Sequence, residues 1–217
     1  NVSHELKTPL QSIIGSAELL ENGLVKPEDQ PRFLSRIHQE ADRLVSLIND
    51  ILRLSQLDEG GALPHEQVSV LELAQEAARS LTAQAAAQAV HISVTGTAGT
   101  VFGVRRLLYE IARNLCENAV KYNVPGGSVT VEVAETERDV TFLVRDTGIG
   151  IPEVDQSRVF ERFYRVDKSH SRAIGGTGLG LSIVKHAVAY HHGTLRLESQ
   201  PGKGTVITVT LPKEPTE

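Results

Sequence analysis

Val140-Thr141-Phe142-Leu143-Val144-Arg145-Asp146-Thr147-Gly148-Ile149-Gly150 alternates apolar and polar residues and then runs into a glycine-rich turn. A period of two marks a strand with one buried face. Across a polar turn upstream, Val129, Val131 and Val133 repeat the pattern, so the two segments are expected to pair as a hairpin. Before them, Leu108, Ile111, Leu115 and Ala119 fall on one face of a helix over 105–122. Further out, 70–89 predicts an Ala-rich helix, 90–94 a strand, 179–191 a helix, and 194–198 with 205–211 two closing strands around Pro201-Gly202-Lys203-Gly204. This part is expected to fold as an α/β sandwich.

The first quarter reads differently. Leu10, Ile13, Ile14, Ala17, Leu20 and Leu24 form one helical stripe, and Phe33, Ile37, Ala41, Leu44, Ile48, Ile51 and Leu54 form a second beyond a turn at 26–31. Two amphipathic helices bury one stripe each, and a second copy completes a four-helix bundle, so a homodimer through 1–60 is expected. Glu59-Gly60-Gly61-Ala62-Leu63-Pro64 ends the periodicity. The fold class is therefore α+β, with a helical hairpin over 1–60, a linker over 61–65 and an α/β sandwich over 66–217.

Composition narrows the function classes. The 217 residues are 40% hydrophobic and 23% charged, which suits a folded soluble protein rather than a disordered one. No apolar run reaches the roughly 18 residues of a membrane span. A net charge of -5, of which -4 lies within 1–60, argues against a general nucleic-acid binder. Cys116 alone forms neither an internal disulfide nor a thiolate metal cluster. A chain that starts at Asn1 and lacks methionine is expected to be a segment of a longer protein.

Three groups of residues carry chemistry. In Ser3-His4-Glu5-Leu6-Lys7-Thr8-Pro9, His4 and Thr8 share a helix face with Glu5 beside them. Pro9 removes the partner of the Glu5 carbonyl, so the helix is expected to bend there and present His4. A neutral imidazole can attack through one nitrogen while the other donates to a carboxylate. The second group is the pair of glycine-rich turns, Asp146-Thr147-Gly148-Ile149-Gly150 and Gly175-Gly176-Thr177-Gly178-Leu179-Gly180-Leu181. Such backbone approaches phosphate closely, and the second turn opens a helix whose N-terminus favours an anion. Neither turn matches the dinucleotide fingerprint or the phosphate loop ending in Lys-Ser/Thr. Between them, 158–172 holds five basic and two acidic residues, a local +3 around Arg165, Lys168 and Arg172 that suits a triphosphate. The third group is Asn114, Asn118 and Lys121, one face of a helix that ends in Tyr122 and Asn123. Amide oxygens are hard donors suited to Mg²⁺, and a lysine meets phosphate as a point charge.

Taken in order, these segments resemble the catalytic core of the sensor histidine kinases of two-component systems over nearly the whole chain. Ser3 to Leu10 is similar to the phosphoacceptor box, Asn114 to Asn123 to the N box and Asp146 to Gly150 to the first glycine box. Phe160-Glu161-Arg162-Phe163-Tyr164-Arg165 resembles the F box, and Gly176 to Gly180 the second glycine box. The resemblance implies an ATP-binding domain after the hairpin and a protein-histidine kinase with ATP and Mg²⁺ as cofactors. His4 would be phosphorylated, Glu5 would activate it, and Thr8 would position water in a phosphatase reaction. Asn118 and Asn114 would hold the metal, and Asp146 would accept the adenine amino group. Lys121, Tyr122 and Arg165 would contact phosphates, with Gly148, Gly150, Gly176, Thr177, Gly178, Leu179 and Gly180 shaping the nucleotide site.

The resemblance further implies a response regulator receiver domain as phosphoryl acceptor, no nucleic-acid partner, and a cytoplasmic position beneath an upstream membrane anchor. In gyrase, mismatch-repair and chaperone ATPases a glutamate stands four residues before the metal asparagine. Here Asn114 does, and an amide is no general base, which favours transfer to His4 over bare hydrolysis. Where many relatives carry an aspartate after the glycine of Phe102-Gly103, this chain has Val104. Gly60-Gly61 and the segment 166–175 are expected to move as the γ-phosphate is brought to His4. An interaction module with a degenerate nucleotide site and a Ser/Thr kinase of the related mitochondrial type are the other classes in play.

Overall fold

The computed structural model describes residues 2–58, 63–166 and 176–214. Helix α1 (Val2–Glu21) runs unbroken through Pro9, where a bend was expected, and α2 (Gln30–Asp58) returns antiparallel to it. The turn between them closes with Leu24 N–H on the Leu19 carbonyl at 3.0 Å, Gly23 at φ +66°, and a short 3₁₀ segment, Pro27–Asp29. Arg36 reaches across to Ser12 at 3.2 Å. The hairpin is as expected from its two stripes.

Strand β1 (Glu66–Ser69) leads into α3 (Val70–Ser80), capped by the Ser69 hydroxyl, which accepts from the Glu72 N–H at 3.3 Å. The single helix expected over 70–89 is two. It breaks at Leu81, and α4 (Thr82–Ala87) follows. Leu81 is buried, and its N–H folds back to the Ala78 carbonyl, so a core contact ends the first helix where helix propensity alone would have continued it.

Then come β2 (His91–Gly96), β3 (Thr100–Gly103), α5 (Arg105–Lys121), β4 (Ser128–Glu135), β5 (Asp139–Asp146), the short α6 (Glu153–Gln156), α7 (Gly180–Tyr190), β6 (Thr194–Gln200) and β7 (Gly204–Pro212). Five strands form one sheet in the order β2-β4-β5-β7-β6, with only β2 parallel to its neighbour β4. β1 and β3 form a separate antiparallel pair, and neither was legible as a strand.

One face of the large sheet supplies Val129, Val131, Val133, Val140, Phe142 and Val144 to the core, all at most 3% exposed. Leu73 and Ala77 of α3, Ile111 and Leu115 of α5, and Val184 and Val188 of α7 pack into the same cluster. This is the two-layer arrangement expected of the sandwich. A second, smaller cluster joins the two parts: Leu47, Ile51 and Leu54 of α2 meet Leu179, Ile183 and Phe163, with Leu6 of α1 beside them.

Candidate functional site

Helix α5 buries Leu108, Ile111 and Leu115 on one side, and that choice turns Asn114, Asn118 and Lys121 toward a cleft. Asn114 is buried, and its Nδ2 donates to the Glu110 carbonyl at 2.8 Å and to Glu110 Oε2 at 3.3 Å. Asn118 is half-buried in the cleft wall. Burial lowers the Lys121 pKa below the ordinary lysine value, with the Arg165 and Arg43 charges adding to it against Glu117. Lys121 Nζ lies 5.7 Å from the centre of the Tyr122 ring, and burial raises that phenol's pKa.

Opposite stands the end of β5. Asp146 Oδ1 accepts the Gly148 N–H at 2.8 Å and the Thr205 N–H at 3.2 Å, which fixes the carboxylate at the mouth of the first glycine turn. Burial raises its pKa, and those two amides oppose the rise. Gly150 sits at φ +69°, and a Cβ there would stand 2.0 Å from the Gln200 carbonyl oxygen, so the turn admits no side chain.

The second glycine turn faces α5. A Cβ on Gly176 would meet Lys121 Nζ at 3.0 Å, and one on Gly180 would meet Asn114 Oδ1 at 2.8 Å. Gly178 accepts the Phe163 N–H at 2.9 Å, and Phe163 itself has φ +66°, an uncommon conformation for a bulky residue. The Thr177 hydroxyl donates to Asp50 Oδ2 of α2 at 2.7 Å. Gly175, Lys168 and Arg172, with most of the expected moving segment, lie outside the described residues, as do Gly60 and Gly61.

These elements enclose a cleft of about 290 Å³. Of the residues expected at the nucleotide site, Asn114, Asn118, Lys121, Tyr122, Asp146, Gly150, Arg165, Gly176, Thr177, Gly178 and Gly180 line it. Gly148 and Leu179 do not. Gly148 is buried beneath the Tyr122 carbonyl, and Leu179 is a wholly buried pillar of the second core. His4, Glu5 and Thr8 are not in the cleft wall either. His4 and Thr8 are exposed on α1 with the Thr8 hydroxyl donating to the His4 carbonyl at 3.1 Å, and Glu5 is half-buried.

Sequence reasoning missed Ser46, Asp50, Arg113 and Glu117 in the wall, and Glu110 behind it. Asp50 enters only because α2 docks on the second glycine turn. Glu110 did carry a signal, as an acid one turn before Asn114 on the same face of α5 as Asn114 and Asn118.

The donor set suits a hydrated divalent cation. Asn114 and Asn118 offer hard amide oxygens, and among the described residues there is no group of three or more His, Cys, Asp or Glu side chains able to cage a metal. A metal held by amides draws its remaining ligands from water and phosphate. With a lysine, an arginine and a helix N-terminus beside it, the cleft suits a polyphosphate.

Residues 103–215 match the family described as histidine kinase-, DNA gyrase B- and HSP90-like ATPase, and residues 1–60 match the His Kinase A (phospho-acceptor) domain. The sensor-like histidine kinase SenX3 of Mycolicibacterium smegmatis is 42% identical over 219 residues, covering 99% of this chain and 56% of its own length. The chain thus spans about half the length of that relative. Among solved structures, ShkA in complex with AMPPNP is 28% identical with a TM-score of 0.72 over 97% of this chain and 44% of its own. ThkA in complex with the response regulator protein TrrA shares the fold at 22% identity, with a TM-score of 0.78 over 99% of this chain and 60% of its own.

Proposed function

Because the chain belongs to the histidine kinase family, carrying both its phosphoacceptor and its ATPase parts, we propose that it phosphorylates its own His4 from ATP and passes the phosphoryl group to an aspartate of a response regulator. In the first step a His4 ring nitrogen bonds to the γ-phosphorus as the bond to the β–γ bridging oxygen breaks. ADP leaves, and Glu5 takes the proton from the other ring nitrogen. What carries this reading is the meeting of Asn118, Lys121, Asp146 and both glycine turns around one cleft, in a chain that also presents His4 on an exposed helix.

Asp146 accepts the adenine amino group, and Lys121, Tyr122 and Arg165 meet phosphate oxygens. Asn118 and Asn114 hold Mg²⁺, which neutralises phosphate charge when bound. Thr8 positions water when the chain dephosphorylates its regulator. The partition is a phosphotransfer domain over 1–60, a linker over 61–65 and an ATP-binding domain over 66–217. Leu10, Ile14, Leu34, Val45, Ile48 and Leu52 of the hairpin are 43–59% exposed, which supports a second copy as the cover. Among the described residues no helix is long and apolar enough to cross a membrane. We place the chain on the cytoplasmic side of an anchored sensor.

Incubation with γ-labelled ATP and Mg²⁺ tests this. The expected label is lost in acid, kept in alkali and absent from His4→Gln. Acid-stable label would point to a Ser/Thr kinase, and label on His4→Gln would overturn the assignment.

A further inference from the structure

Glu110 is 6% exposed, and no catalytic step above uses it. Its Oε2 accepts from Asn114 Nδ2 at 3.3 Å and from Arg53 Nη1 of α2 at 3.3 Å, and pairs with the Arg113 guanidinium at 3.7 Å. A buried carboxylate with such partners is costly to leave unpaired. Arg113 is shared with Glu117 at 3.0 Å and Arg53 with Asp50 at 3.7 Å, so Arg53 is the counter-charge that arrives with the hairpin.

The consequence falls on Asn114. Its Nδ2 faces two acceptors, the Glu110 carbonyl and Oε2, while its Oδ1 faces Gly180 at the opening of α7. The Glu110 carboxylate therefore adds to the helix carbonyl a second hold on the Nδ2 end, leaving Oδ1 on the Gly180 side. The groups that orient a metal ligand govern affinity nearly as strongly as the ligand itself.

We propose that Glu110 is a positioning residue for Asn114, and that Arg53 completes it, so that the metal end of the cleft senses whether α2 is docked. This rests on the reading of Asn114 as a metal ligand. With Glu110 removed, the amide keeps only the helix carbonyl and turns more freely. With Arg53 removed, the carboxylate stays but is less firmly placed.

ADP titrated calorimetrically with Mg²⁺ and with EDTA separates metal from nucleotide. In Glu110→Ala the gain in ADP affinity on adding Mg²⁺ should fall by roughly 10- to 100-fold, with Mg²⁺-free affinity unchanged. Glu110→Gln keeps an oxygen acceptor for Asn114 and should restore most of the gain, and Arg53→Ala should lose part of it. An unaltered gain in Glu110→Ala, or an equal loss with and without Mg²⁺, overturns the proposal. Should Glu110→Ala fail to fold, an unaltered gain in Arg53→Ala does so. If wild type binds ADP but gains nothing from Mg²⁺, the metal site falls and the proposal with it. If the gain survives in wild type and vanishes in Asn118→Ala but not in Glu110→Ala, the kinase reading stands and this proposal alone fails.

Discussion

Thr177 and Asp50 lie 127 positions apart, yet the threonine hydroxyl donates to the Asp50 carboxylate at 2.7 Å, joining the second glycine turn to the hairpin. Burial raises the Asp50 pKa, with Thr177, Arg53 and Arg113 opposing the rise. A carboxylate in that cleft wall would repel the phosphates of a bound nucleotide.

Replacing that charge should therefore help nucleotide bind. Asp50→Asn is expected to tighten ADP by about fivefold, on the order of 1 kcal/mol. Weaker binding in this variant would show that the contact supports the nucleotide rather than opposing it.

Leu179 is wholly buried against Leu47, Leu54 and Ile183, so it anchors the hairpin to the sandwich. Leu179→Ala removes buried atoms at that junction, at a cost of about 2–5 kcal/mol. Calorimetric melting should change from one transition to two, with the hairpin parting from the sheet. A single transition at the original temperature would contradict this.

Gly150→Ala and Gly202→Ala form an informative pair. Both glycines have positive φ, +69° and +75°, but a Cβ on Gly150 would collide with the Gln200 carbonyl while one on Gly202 meets nothing within 4 Å. Gly202→Ala should cost only the left-handed conformation of an L-residue, about 1–2 kcal/mol, and leave nucleotide binding alone. Gly150→Ala should cost more and displace the turn beside Asp146, losing ADP affinity. Equal effects in denaturant titrations would remove the steric argument.

The regular elements were legible because periodicity reports a buried face: α1, α2, α5, α7 and the strands from β4 to β7 all follow it. β1 and β3 were not, because four residues are too short to establish a period. The break at Leu81 depends on a core that only the assembled fold provides. At the site, Asn118 and Lys121 were visible from local spacing, and Asp146 from the resemblance of its glycine turn. Asp50 and Arg53 were not, since their place comes from how the hairpin docks, and the second glycine turn bears Leu179 as a packing residue where a ligand contact was expected.

Asp146 serves two ends, holding the turn through the Gly148 and Thr205 amides and facing the cleft. Asp146→Ala leaves both amides without that acceptor and should destabilise the fold by about 1–3 kcal/mol. ATP and ADP binding should be lost in a variant that still melts cooperatively. Retained affinity would remove Asp146 from base recognition.

His191 predicts the behaviour in mild acid. It is 8% exposed, its Nε2 accepts the Val104 N–H at 3.0 Å and its Nδ1 stands 2.7 Å from the Ala187 carbonyl. That pairing requires the neutral ring with its proton on Nδ1. Burial lowers the pKa from the ordinary 6.5, the Ala187 bond opposes this, and His65 and His192 add to it. A folded-state pKa below the unfolded one means that the unfolded chain binds the extra proton first. Stability is thus full above 6.5, declines as pH falls below it, and levels off beneath the folded-state pKa. Protonation also breaks the bond to Val104, at the junction where β3 hands over to α5. The melting temperature should therefore drop across this window, and His191→Gln, less stable at neutral pH, should show a shallower drop. Parallel profiles for the two proteins would assign the acid sensitivity to other groups.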